Sequence, residues 1–408
     1  MWTLAWRNVW RHRSRSLITA GAVALVVFIT LVFFAFTHAA KTGMFQVLTD
    51  ETGHLQVTSA AADDARDFDA TLIRDAWSVE AAIRREAPGV LVAQALEVPA
   101  LLSGESRSRG VRAVGFKYDD ALQDRFEKRH LAAGRMPVPG SLDEIALGSA
   151  LARALQVELG DVVYVFAPGT EGWGAAAYTV VGLLAFPQAA VELQTAYLSL
   201  EGAQELAAPG AVTRFELHLG AELGPAGEAA IESVKERLSG ALGPGVTVES
   251  WREAAPDLAA LLDLMDPAMV LFAFFIFVLA GLLLINTIYL GLVERIREFG
   301  VIIAVGADRW RVMRMVFAES AVLVATGAAF GLAVSGALIA GFSGGVRIPG
   351  MQEVLLEIGM PEVLYPAVTA GQAAITVLFT VGTALLASLW PAWVAGRLQP
   401  VEAMRHVA

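Results

Sequence analysis

No cysteine occurs in the 408 residues, which removes disulfides, thiolate metal sites and cysteine catalysis together. Charge is scarce as well. Charged residues make up 17% of the chain, against about a quarter in ordinary soluble domains, while hydrophobic residues make up 56% and the mean hydropathy is +0.56. A chain this apolar places part of itself in lipid. There are only four lysines (Lys41, Lys117, Lys128, Lys235), and the net charge is -11. Without a concentrated positive field, nucleic acid is excluded as a partner. The six histidines (His12, His38, His54, His130, His218, His406) show no paired ligand spacing, so no metal site is expected. No G-x-x-x-x-G-K-[ST] loop is present to cradle a nucleotide phosphate, so the chain is not read as its own ATP-driven motor. GFSGG at 341–345 matches G-x-S-x-G but closes an apolar helix, where that pattern carries no nucleophile. The chain therefore reads as non-catalytic.

What the sequence has instead is long apolar runs. A membrane-spanning helix needs about 20 apolar residues, and four segments qualify: 17–37, 268–293, 315–341 and 373–394. The first run exceeds the 7 to 15 residues usual for a signal-peptide core, so it is read as an uncleaved span. Arginines at the span ends set the orientation. Arg7, Arg11, Arg13 and Arg15 precede the first span; Arg295, Arg297, Arg309, Arg311 and Arg314 lie between the second and third; Arg397 and Arg405 follow the fourth. The loop 342–372 has only Arg347, beside Glu353, Glu357 and Glu362. Both termini and segment 294–314 are thus expected in the cytoplasm, with 38–266 outside. In 1–16, Trp2, Trp6, Val9 and Trp10 recur at helical spacing, as in an elbow helix lying in the headgroup plane.

The outer segment reads as α+β. A strand, helix, strand order over 53–60, 79–88 and 90–104 recurs over 213–220, 227–242 and 246–250. This predicts one subdomain built from both ends (about 45–104 and 213–265) and a β-rich insertion at about 105–212, in which VVYVF pairs with YTVVGLLAF. An amphipathic helix at about 251–265 leads into the second span.

The segment 294–320, ERIREFGVIIAVGADRWRVMRMVFAES, is a basic cytoplasmic turn with helical periodicity. On a helical wheel Ile296, Phe299 and Ile303, with Ile302 near them, form an apolar stripe flanked by Glu294, Arg295, Arg297 and Glu298. Gly306 breaks this helix and Asp308 is placed to cap the next. Such a stripe suits either the lipid interface or a groove in a cytosolic partner. Within the spans, Glu319 is read as structural, Asn286 as bonding across helices, and Gly327, Gly331 and Ser335 as a close-packing face.

Three motifs carry a resemblance: LAWRNVWRHRSRSLIT at the start, ER-x-x-EFG-x-x-x-A-x-G at 294–306 with the following Glu319, and R-x-x-P-x-E-A-M-R at 397–405. With the layout of one span, a large outer domain and three spans, the chain resembles ABC permeases of the lipoprotein-releasing (LolC/LolE-like) and MacB–FtsX superfamily. The resemblance implies a polytopic α-helical membrane protein with four transmembrane helices and a large α+β extracytoplasmic domain inserted between the first two, in the MacB-like, type VII arrangement. It implies a bacterial inner-membrane location with the large domain periplasmic. It further implies that Glu294, Arg295, Arg297, Glu298, Phe299, Gly300, Ala304 and Gly306 form the coupling element that seats in a separate cytosolic ABC ATPase, which would hold ATP and Mg. No cofactor is expected on this chain. A second permease, identical or homologous, is the expected membrane partner. In the lipoprotein branch, acyl chains lie between the first two spans, where Phe28, Phe33, Phe34, Phe272, Phe274 and Phe277 would form the lining. Extraction of lipoproteins toward a periplasmic carrier is the leading expectation. Export with a periplasmic adaptor and outer-membrane channel, or mechanical regulation of a cell-wall hydrolase, are the alternatives.

Overall fold

The computed structural model describes residues 13–62, 68–186, 189–220, 227–294, 296–350, 354, 360 and 363–396. Residues 1–12 of the elbow read at 1–16, the terminal motif at 397–405 and Arg295 lie outside the described residues, while 13–16 belong to the first long helix. In chain order the elements are α1 (Arg13–Thr52), β1 (Leu55–Ser59), α2 (Ala76–Glu86), β2 (Leu91–Ser103), β3 (Ser108–Tyr118) and α3 (Asp120–His130). Next come β4 (Leu131–Gly134), β5 (Glu144–Gly148), α4 (Ser149–Leu155), β6 (Val162–Gly169), β7 (Gly172–Leu184), α5 (Ala189–Gln194), β8 (Thr195–Ser199) and α6 (Leu200–Leu206). β9 (Arg214–His218), α7 (Glu228–Leu242), β10 (Val246–Ser250), α8 (Trp251–Ala254), α9 (Pro256–Glu294), α10 (Ile296–Ala304) and α11 (Arg309–Gly341) follow. A two-residue hairpin of β11 (Val346–Arg347) and β12 (Val363–Leu364) precedes α12 (Ala370–Gly396). The chain divides into a helical unit (1–41, 262–347, 363–408) and a mixed unit (42–261, 348–362).

Four helices of the described residues are long and apolar enough to cross a membrane: α1, α9, α11 and α12. α1 and α9 have 40 and 39 residues, each about 60 Å at 1.5 Å per residue and thus about twice the hydrocarbon thickness. The expected helix at 251–265 is instead two pieces. A capping box between Ser250 and Glu253 starts the four-residue α8, and Pro256 then occupies the first position of α9, where its missing N–H costs nothing.

The helical unit is packed through small residues. Val23, Val27, Leu31, Leu284, Val324, Ala328, Ala384 and Ala387 form a buried core drawn from all four long helices. Gly327 and Gly331 let α11 approach the backbone of α1: an added Cβ would stand 2.4 Å from the Ala20 carbonyl oxygen and 2.5 Å from that of Ala24. Ser335, the third member of this face, is fully buried and donates to the Gly331 carbonyl. Asn286 departs from its expectation. It is exposed on α9 and bonds to no neighbouring helix among the described residues, because the helical turn that carries it points away from the core residues Leu284 and Ile288.

In the mixed unit, strands from the two ends of the segment lie side by side in the order β10-β1-β9-β2. α2 and α7 cover this part and bury Ile83, Ile231, Val234 and Leu238. β2 then continues into the insertion. The pairings β2-β3-β8-β5-β7 are joined by β6, which pairs with both β7 and the far end of β2, so six strands close a ring. Alternation along β6 gives Val163, Val165 and Ala167 to the inside and Val162, Tyr164 and Phe166 to the outside. Pro99 falls in the stretch of β2 between its pairings with β9 and β6, where the ladder on that side asks for no N–H.

The close approach of α11 to α1 yields a direct test. Replacing Gly331 by Ala should destabilise the protein by about 2 to 3 kcal/mol through overpacking against backbone. Gly336→Ala, whose Cβ meets nothing within 4 Å, should stay within about 0.5 kcal/mol. Unfolding midpoints in detergent measure both; equal midpoints for the two variants contradict the packing account.

Candidate coupling surface

The nine-residue α10 lies between α9 and α11, and Gly306, at φ +100°, turns the chain sharply toward the latter. Asp308 takes the N-cap position of α11, but its side chain makes no capping hydrogen bond, contrary to the role assigned to it from sequence. The first turn of α11 is held by the Asp308 carbonyl, which accepts from the Arg311 N–H at 2.8 Å.

The apolar stripe read from the sequence faces inward. Phe299 is 2% exposed and packs with Ile288 and Leu292 of α9, Val312 and Val316 of α11 and Ala392 of α12, with Ile303 beside it. Ile302, grouped near that stripe, points the other way. With Val301 and Val305 it forms a second stripe, at 37%, 47% and 83% exposure for Ile302, Val301 and Val305. These residues with Gly306, Ala307, Arg311 and Met315 line an open groove of about 480 Å³. Arg297 and Glu298 are exposed at the start of α10, Trp310 and Arg311 at the start of α11, and Glu294, Ala304 and Gly306 are exposed as well. Of the predicted coupling residues, then, Phe299 is an anchor and the others with described side chains are surface. Gly300 lies within α10. The sequence carried a signal for the second stripe: Glu298, Val301, Ile302 and Val305 stand at i, i+3, i+4 and i+7.

Glu319 is half-buried and lines a small cavity with Thr19, Phe299 and Ser320, directly behind the anchor of α10.

The six phenylalanines read as a lining do not form one surface. Phe33 and Phe272 stack at 3.8 Å between α1 and α9, with Phe34 at 6.3 Å from Phe33. Phe277 instead stacks on Phe379 of α12 at 5.9 Å, Phe274 is exposed beside Phe275, and Phe28 is half-buried. Phe272 and Phe277 are five positions apart, about 500° around a helix of 3.6 residues per turn, and so face different neighbours. An ion pair that sequence reading missed, Lys41 to Asp266 at 2.7 Å, also joins α1 to α9.

The profile of the MacB-like periplasmic core domain matches residues 16–254, and that of the FtsX-like permease C-terminal region matches 270–400. The chain is an ABC transporter permease of the MacB–FtsX superfamily. An uncharacterised ABC transporter permease of Mycobacterium bovis is 27% identical over 221 residues, covering 54% of this chain and 53% of that protein. A macrolide export ATP-binding/permease protein MacB of Syntrophobacter fumaroxidans is 28% identical over 164 residues, covering 39% of this chain and 20% of that one. Each alignment therefore spans about half or less of the relative's length. The crystal structure of the periplasmic region of MacB from Actinobacillus actinomycetemcomitans aligns with 52% of this chain and 95% of its own at 12% identity and a TM-score of 0.36. In this permease, α10 sits in the stretch matched by the FtsX-like profile.

Anchor and surface roles separate experimentally. Phe299→Ala opens a cavity in the packed end of the bundle and should cost about 3 to 5 kcal/mol of stability. Val305→Asp, at a largely exposed site, should change the unfolding midpoint by no more than about 0.5 kcal/mol. Unfolding of both variants in detergent decides; a strongly destabilised Val305→Asp would mean that this face is covered within the chain.

Proposed function

We propose that this chain is the membrane-spanning permease subunit of an ATP-driven complex in which a separate cytosolic ABC ATPase, holding ATP and Mg, docks on α10. The observation that carries the reading is the two-sidedness of α10. Phe299 fixes the helix to the bundle, while Val301, Ile302 and Val305 offer an exposed apolar ridge, with Arg297, Glu298, Arg309 and Arg311 also exposed nearby in sequence. A ridge of this kind fits a groove with an apolar floor and charged walls. Because Phe299 packs against α9, α11 and α12 at once, a displacement of α10 is passed to the helices that lead to the outer domain. The 408 residues hold no phosphate loop of their own.

The permease acts beside a second permease. Asn286 lies within the apolar run of α9, about 12 Å from its end at Glu294. There an exposed amide has no solvent partner, and an amide on a neighbouring copy supplies both a donor and an acceptor.

For the cargo, extraction of lipoproteins from the inner membrane toward a periplasmic carrier is supported by the Phe33–Phe272 stack between α1 and α9, an aromatic contact that an acyl chain can enter. An exporter reading, with a periplasmic adaptor and outer-membrane channel, is supported by the likeness to proteins named for macrolide export. The large domain lies on the periplasmic side in both, with the termini in the cytoplasm.

Co-expression with a candidate ABC ATPase subunit tests the coupling assignment. Val305→Asp combined with Ile302→Asp should abolish co-purification of the ATPase and its stimulation, while the variant remains folded. Retention of a complex with wild-type stimulation would sink it. Mass spectrometry of what co-purifies with the wild-type complex separates the cargo readings: acylated proteins, lost upon Phe33→Ala, support extraction, and an adaptor protein without acylated cargo supports export.

A further inference from the structure

Three of the six histidines, remote in sequence, meet around the end of α1. His54 follows the turn at Gly53, and its backbone N–H donates to the Leu217 carbonyl at 2.8 Å. Its ring lies edge-on to Phe45 at 5.8 Å and to His218 at 6.4 Å. Both histidines are buried, and Nδ1 of His54 has no hydrogen-bond partner among the described residues. Beside them is a small cavity lined by Asp50, Tyr118, Arg125, Arg129, His130 and His218, among others. Asp50, in the last turn of α1, is gripped from α3 by Arg129 at 2.6 Å and Arg125 at 3.6 Å.

Charged and titratable groups from several elements face the histidine pair. α1 supplies Asp50, α3 supplies Arg125, Arg129 and buried His130, and β3 supplies Tyr118. Glu216 of β9 is engaged by Arg214 at 2.8 Å, and Arg252 of α8 lies over Trp251 and pairs with Glu228. Asp50 favours a proton on either ring and Arg125 opposes it less strongly, so it is burial, with the neighbouring ring for His54, that keeps both imidazoles neutral in a space that admits little water.

We propose that His54 and His218 form an acid-sensitive latch: neutral, they seal the end of α1 against β9 and α3, and protonation of either one releases it. Burial lowers His54 from 6.5 to about 4, with the neighbouring His218 adding to the effect, and burial lowers His218 to about 4 as well. His130 is lowered by burial, partly offset by its contact with the Ala185 carbonyl. The sign follows from linkage. The released state binds protons near pH 6.5 and the sealed state only near 4, so the sealed state is fully favoured above 6.5 and loses ground as pH falls from 6.5 toward 4.

Hydrogen–deuterium exchange of the full-length protein in detergent, corrected for the intrinsic pH dependence of exchange, tests the latch. Between pH 7.5 and 5, opening of the segment 44–56 should become about thirtyfold more frequent for each proton taken up only on release, at about tenfold per pH unit below 6.5. β5 and β8 should not change. The double variant His54→Gln with His218→Gln should remove the dependence. A flat wild-type profile, or the same loss in the double variant, overturns the proposal. If the double variant does not fold, NMR of the histidine-labelled wild type decides instead: rings that stay neutral down to about pH 5 while opening of 44–56 rises below 6.5 support the latch, and titration near 6.5 without a change in exchange overturns it.

Discussion

The burial of one side chain, Phe299, fixes what the rest of α10 can do. A nine-residue helix is too short to hold its shape alone, since nucleation is costly and isolated helices of that length are marginal in water. Phe299 supplies the missing stability by packing against three long helices, and Ile303 one turn later completes the contact. The helix is then committed in rotation as well as in place. Val301, Ile302 and Val305 have no route to the interior, and the surface they form is a consequence of the anchor.

The mixed unit is governed by a comparable constraint, carried by a strand. β2 serves two neighbourhoods: its first half pairs with β9 in the sheet built from both ends of the segment, and its last residues pair with β6 in the ring. The two parts therefore share a backbone and its twist, and no flexible linker separates them. Long, continuously paired strands such as β2 and β3 make this a stiff body.

Much of this was legible in the sequence. The four apolar runs and the recurring strand, helix, strand order correspond to observed elements, because period and length speak directly to backbone state, while VVYVF pairs with the strand that runs into YTVVGLLAF but mostly ahead of it, at Ala175–Thr179. What was not legible is which neighbour each face meets. Ile302 and Phe299, three positions apart, share a face on an idealised wheel, yet only Phe299 is buried in the bundle and Ile302 is exposed. Asn286 was read as a bond between helices of one chain, and nothing in a single sequence tells an inner face from an outer one when lipid surrounds both. The histidines looked scattered because β9 and α1 are brought together by a sheet whose strands are more than 150 residues apart in sequence.

Exposure itself means different things in the two units. On the long helices an exposed Leu or Phe is ordinary, because lipid rewards it. On the mixed unit, exposed Tyr164, Phe166 and Trp173 face water and are the informative ones. α10 belongs to neither case. It joins two apolar helices, yet Arg297, Arg309, Arg311 and Arg314 surround it, and charges at that density do not enter hydrocarbon. Its apolar ridge therefore lies at or below the headgroups, where lipid tails cannot cover it fully. A protein groove can, and that difference supports the docking proposed for α10.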